Sequence, residues 1–272
     1  MDFNWTDWLN LLARWVHVFA GIMWVGTTYY FTWLDGQLAR EEEQAAKEGK
    51  RGQVWMVHSG GFYTVEKQKA LGVSPGNVHW FRWEAATTWL SGIVLLVVVY
   101  YMGGVMVDES VADIALWKAI GIGVGALVVG WLVYDLAAKS PLGRSEIGFA
   151  VFAFVMIALF AYWLGRVLSG RAAYMHVGAI LGTIMAANVW LRILAAQKKT
   201  IAAASKGEEF DAGLASQAKL RSKHNTFMAV PVVFIMISNH FPVLTYGRRH
   251  GWFVLCLMVL AGWIAAKCIR RA

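Results

Sequence analysis

Four histidines stand in or beside apolar stretches, where an ionisable side chain is costly. His17 lies in Arg14-Trp-Val-His17-Val-Phe-Ala-Gly21-Ile-Met-Trp24-Val-Gly26, and His176 in Tyr174-Met-His176-Val-Gly-Ala. His79 and His224 each open a further apolar run. An ionisable group in hydrocarbon marks a functional site by default. Imidazole is also a common axial ligand of haem iron. The first expectation is therefore one or two haems b, with His17, His79, His176 and His224 as iron ligands. Gly21 and Trp24 follow His17 by four and seven residues, so they share its helix face. A glycine there lets a flat macrocycle approach the backbone. The non-haem readings stay open beside this one. His17 and His176 are suited to hydrogen bonds between helices, and the glycines to close helix packing.

A second group is His79-Trp-Phe-Arg82-Trp83-Glu84-Ala-Ala-Thr87-Thr88-Trp89. Arg82 and Glu84 sit where a span begins. With His58 they are the candidate residues for substrate or proton handling. Arg82 is also placed to snorkel to the interface. Asp135 and Asn188, inside apolar runs, are weaker candidates. Cys256 and Cys268 are twelve residues apart on one expected helix, which excludes a disulfide between them. No C-x-x-C-H occurs, so no covalent c-type haem is expected.

The elements that must position these residues are membrane helices. The chain is 58% apolar and only 15% charged, against about a quarter charged in soluble domains. Apolar runs of about 20 residues cross a bilayer core. Seven are found, at 9–33, 79–103, 115–136, 147–166, 172–194, 223–240 and 250–268. The fold class is thus an all-α polytopic bundle, a single integral membrane domain over 1–272. The acidic start lacks the basic region of a signal peptide, so the first helix is expected to be retained. Lys and Arg gather in 34–78, 139–144, 196–222 and the C-terminus, while 104–114 carries only acids. The positive-inside rule then places the N-terminus outside and the C-terminus in the cytoplasm. This distribution accounts for the net charge of +8 without nucleic acid. Lipid is the expected surrounding.

Within the cytoplasmic excursion 34–78, two β-prone runs flank Ser59-Gly60-Gly61, which predicts a hairpin. Leu71-Gly-Val-Ser-Pro75-Gly76-Asn77 is turn chemistry. The linker 196–222 is expected to be helical or mobile. Helices 1 and 2 and helices 5 and 6 share a plan of intramembrane histidine, charged linker and histidine at the next start, which suggests an internal repeat. On that topology His17 pairs with His176 at one level and His79 with His224 at the other.

Trp15-Val-His17-Val-Phe-Ala-Gly21-Ile-Met-Trp24-Val-Gly26, His58-Ser-Gly60-Gly61-Phe62-Tyr63, the string from His79 to Gly92, and Gly130-Trp131-Leu-Val-Tyr134-Asp135 together resemble the membrane domain of bacterial membrane-bound urate hydroxylases. The resemblance is close in the first half and looser to the end. It implies an inner-membrane protein that oxidises urate. In that family an eight-helix domain is fused to a cytochrome c that receives the electrons. Here the sequence shows seven helices and no C-x-x-C-H, so a separate cytochrome c or quinone is the expected acceptor. A second expectation is a non-catalytic anchor and electron-transfer subunit, docking a soluble dehydrogenase on its basic cytoplasmic face and reducing quinone. A third is a transporter with histidine proton relays.

Overall fold

Apolar segments with few charges form helices in lipid, because only an internally hydrogen-bonded backbone is tolerated there. The computed structural model describes residues 4–47, 52–68, 78–206, 208, 211–247 and 249–271. The turn expected at 71–77 lies outside them. Seven helical rods are present among the described residues: α1 (Trp5–Lys47), α2 (Trp83–Tyr101), α3 (Leu116–Lys139), α4 (Glu146–Leu164), α5 (Gly170–Ser205), α6 (Ala212–Ile237) and α7 (Gly251–Arg271). All but α6 are long and apolar enough to cross a membrane. The helix α6 begins with a polar stretch, Ser216-Gln-Ala-Lys219-Leu-Arg221, and carries Pro231 inside.

The bundle is apolar outside as well as inside. Trp15, Phe19 and Ile22 of α1 and Ile147 and Val151 of α4 are exposed, as lipid-facing side chains are. The centre is α5, whose face from Ala172 to Ala186 is buried almost throughout. It packs on α2, α3, α4, α6 and α7, while α1 lies mainly along α2. Close approach uses small residues, as is common between membrane helices. A Cβ on Gly130 would come 2.5 Å from Ile180, and one on Gly178 2.8 Å from Ile235.

Helix ends depart from the expected spans. The 43 residues of α1 run about 65 Å at about 1.5 Å per residue, about twice a hydrocarbon core. Its last turns therefore stand clear of the apolar layer. Leu34 and Leu38 on them bury against Val54 of the hairpin, which is β1 (Gln53–His58) and β2 (Gly61–Glu66). Lys67 anchors the hairpin to Asp35 at 2.5 Å. The linker 196–222 is helical over most of its length, as the ends of α5 and α6. His79 precedes α2 rather than lying on its first turn.

The hairpin turns at Ser59 and Gly60, both at positive φ, 49° and 76°. A two-residue turn matching the strand twist requires this. Gly60→Val is expected to destabilise the hairpin by about 1–2 kcal/mol. Limited proteolysis should then cut faster within 53–66 while the bundle stays intact. Unchanged cleavage would contradict the turn geometry.

Candidate functional site

Among the described residues two helices contain a π-turn, an inserted residue that widens the helix and is frequent at functional sites. One, Asn188–Ile193 in α5, organises a buried polar network. Asn188, 1% exposed, donates through Nδ2 to the Tyr134 hydroxyl at 2.8 Å and to Asn225 Oδ1 at 2.9 Å. Asn225 in turn donates to the Met185 carbonyl at 3.0 Å. Four residues along the same turn, Arg192 forks onto the Asp135 carboxylate, its Nε at 2.9 Å. Arg221 of α6 reaches Asp135 Oδ1 at 3.0 Å and lies over the Tyr134 ring, 5.0 Å from its centroid. Lys139 meets Asp135 Oδ2 at 2.8 Å.

One buried carboxylate is thus surrounded by three cations. The Arg221 side chain is 4% exposed, yet its Nη1 has no hydrogen-bond partner among the described residues. On the other side of the π-turn, the Arg82 guanidinium lies over Trp83 and Trp190, 5.3 and 5.9 Å from their centroids. Arg82 Nε and Glu84 Oε2 are buried and also unpartnered among the described residues. A buried donor left unpaired costs about 1–3 kcal/mol. Four cations facing two carboxylates, with spare guanidinium donors on both sides of one turn, suit an anionic ligand with several acceptor edges.

The second π-turn, Leu96–Tyr101 in α2, aims Tyr100 and Tyr101 at His176. His176 is fully buried. Its Nδ1 meets the Ala172 carbonyl at 2.7 Å and its Nε2 the Tyr101 hydroxyl at 3.2 Å. Gly123 closes the remaining side, for a Cβ there would stand 2.5 Å from Nε2. His17 of α1 packs against α2, with Nδ1 2.9 Å from the Thr88 carbonyl and 3.2 Å from Ser91 Oγ. His79 is exposed and edge-on to Phe81. His224 bonds through Nδ1 to the Tyr134 hydroxyl at 2.8 Å and stacks on Phe149, rings 4.5 Å apart.

Among the described residues no hydrogen bond or ring contact joins any two of these four histidines. No group of three or more His, Cys, Asp or Glu suited to a metal ion occurs there either. Gly21 faces Thr88 with room for a methyl group, and Trp24 packs into the core. His58 ends β1, exposed at the hairpin turn, and contacts neither Arg82 nor Glu84 among the described residues.

Beside the network lies a cavity of about 730 Å³ between α3, α4, α5, α6 and α7. Its walls are largely apolar, with Tyr134, Glu146, Lys223, His224, Lys267 and Arg270 the polar side chains that line it.

Sequence reasoning reached Arg82, Glu84, Asp135 and Asn188. It missed Arg192, Arg221, Tyr134 and Asn225. Arg192 was visible as a lone cation near the end of an apolar run, with Asp135 as its opposite charge near the end of another.

A family model described as urate oxidase N-terminal matches residues 4–270. No curated protein and no solved structure matches the chain.

Proposed function

The chain belongs to the urate oxidase N-terminal family, and from that premise we propose that it is the multi-pass membrane domain of a urate-oxidising system. The observation that carries the proposal is the excess of cations over carboxylates around the Asn188–Ile193 turn, with the buried atoms Arg82 Nε and Arg221 Nη1 unpartnered among the described residues. Urate is a planar monoanion at neutral pH, rimmed by carbonyl oxygens and ring nitrogens. Guanidinium groups match such edges with parallel hydrogen bonds, and they stay charged when buried. Hydroxylation of urate by water releases two electrons and two protons. Glu84, whose Oε2 has no partner among the described residues, is the proposed proton acceptor. The electrons pass to a cytochrome c or quinone. In this reading the N-terminus lies outside a bacterial inner membrane and the network faces the cytoplasm.

Haem b fits one of the four histidines by ring chemistry. The Nδ1–H of His17 donates to the Thr88 carbonyl, which leaves Nε2 as a lone pair, the arrangement usual for metal-bound histidine. Gly92 lies against that ring. His176 has its Nε2 engaged by Tyr101, and His79 is exposed. His17 would hold such a haem through Nε2, and the group would supply one-electron transfer. His17→Ala is expected to abolish a b-type reduced-minus-oxidised spectrum. An unchanged spectrum removes His17 as a ligand.

The substrate site is tested with purified protein in lipid nanodiscs, urate and an artificial electron acceptor. Urate-dependent reduction is expected. Arg82→Gln should raise KM about tenfold, the equivalent of about 1.4 kcal/mol. Normal kinetics in that variant would remove Arg82 from the site, and no reduction by the isolated chain would favour a second reading.

That second reading is the anchor subunit, and one feature favours it. Trp55, Val57 and Phe62 point away from α1 on the hairpin and are 69%, 68% and 77% exposed. Such a patch suits a docked soluble dehydrogenase.

A further inference from the structure

The cavity between α3 and α7 holds a feature that the substrate network does not use. Asn188 donates to the Tyr134 oxygen, so the hydroxyl hydrogen is directed elsewhere. The acceptor in reach is His224 Nδ1 at 2.8 Å. An imidazole accepting at Nδ1 carries its hydrogen on Nε2. That Nε2–H has no partner among the described residues, and the ring lies on the cavity wall. Phe149 stacks on it within 7° of parallel and fixes its orientation. A donor on the wall of an apolar space favours an occupant with an acceptor there.

The surroundings narrow the chemistry of that acceptor. Phe152, Ile157, Ile180 and Trp263 make the walls apolar. Ile147, Val151 and Ile264, also on the walls, are exposed on the lipid-facing surface at 81%, 59% and 65%. The ligand can therefore enter from the bilayer. The polar end is rich in donors: the His224 N–H, Lys267, Arg270, and Lys223, which is paired with Glu146. An occupant that is apolar, flat and accepting at its ring oxygens complements this arrangement.

We propose that the cavity is a quinone site, with one ring carbonyl accepting from His224 Nε2–H and the tail lying between α4 and α7. The Tyr134–Asn188 chain couples this site to the Asp135 network, which shares Tyr134 through Arg221. Binding stands on the cavity and the imidazole alone. Reduction rests on the proposed function. Quinone takes two electrons and two protons to become quinol, the numbers that urate hydroxylation by water releases. The His224 Nε2–H hydrogen bond holds the carbonyl oxygen that is protonated first, and that proton comes from water at the Glu146–Lys223 rim. The second proton comes from the same rim.

The test uses the full chain in phosphatidylcholine nanodiscs without urate, with decylubiquinone as the probe and tryptophan fluorescence as the readout. Saturable binding is expected. His224→Phe should weaken it at least tenfold. Ala153→Trp, which fills the cavity from α4, should abolish it while melting temperature confirms folding. Tyr134→Phe should weaken it by a smaller factor, because the imidazole loses its fixed tautomer. Full binding in both His224→Phe and Ala153→Trp overturns the proposal. So does displacement of the probe by phosphatidylglycerol with dependence on Lys267 and Arg270 but not on His224, which would make the cavity a site for anionic lipid. Because urate is absent, failure of urate oxidation leaves this result standing, and failure of binding leaves the urate reading standing.

Discussion

Asp135→Ala is expected to be among the most damaging single substitutions in the chain. The carboxylate is 7% exposed and holds Arg192, Arg221 and Lys139. Removing one partner of a buried ion pair costs about 3–5 kcal/mol, because the remaining charge stays buried and unpaired. Here Arg221 suffers most, since its side chain is 4% exposed and cannot turn to water. Lys139, at 46%, can. The purified variant should melt at a clearly lower temperature, and less of it should be recovered from membranes. Adding Arg221→Met to Asp135→Ala should recover part of the loss, because both charges are then gone. A variant as stable as the parent, or no recovery in the double variant, would show that the network does not hold α3, α5 and α6 together.

Gly123→Ala is expected to disturb a different part of the bundle by similar means. The added Cβ would stand 2.5 Å from His176 Nε2, 2.8 Å from its Cδ2 and 3.0 Å from Met106 Cε. Neither neighbour can yield easily. His176 and Met106 are fully buried, and His176 is tethered to Ala172 and Tyr101. Overpacking of this kind costs about 1–3 kcal/mol, and the lost Tyr101 hydrogen bond about 1 kcal/mol more. Gly121→Ala, two residues away, is the control. Nothing lies within 4 Å of a Cβ there, and alanine favours the helix by about 1 kcal/mol. A lower melting temperature for Gly123→Ala and an unchanged or higher one for Gly121→Ala is the expected pair. Equal effects would contradict the close seat of His176 on α3.

Much of the bundle was legible in advance, because lipid imposes a simple rule on sequence. A run of apolar residues must be helical, so the seven runs became seven rods. The hairpin was legible because Ser59-Gly60 offers the positive φ that a tight turn needs. Helix ends were less so. Hydropathy ends where charge begins, yet α1 continues to Lys47 and α6 starts at Ala212 because polar helix is stable in water when packed. The site was half legible. Arg82, Glu84, Asp135 and Asn188 stood out as polar groups in apolar context.

The sequence by itself determined that this is a helical membrane domain, that its buried polar groups are few, and which residue types they are. Only the tertiary structure decided which of them meet. The π-turns at 96–101 and 188–193 leave no trace in hydropathy, since an inserted residue changes rotation and not composition. That rotation sends Arg192 to Asp135 and Tyr101 to His176. Histidine chemistry was fixed the same way. A sequence cannot say which ring nitrogen holds the proton, because that depends on the neighbour each nitrogen finds: a backbone carbonyl for His17 and His176, the Tyr134 hydroxyl for His224.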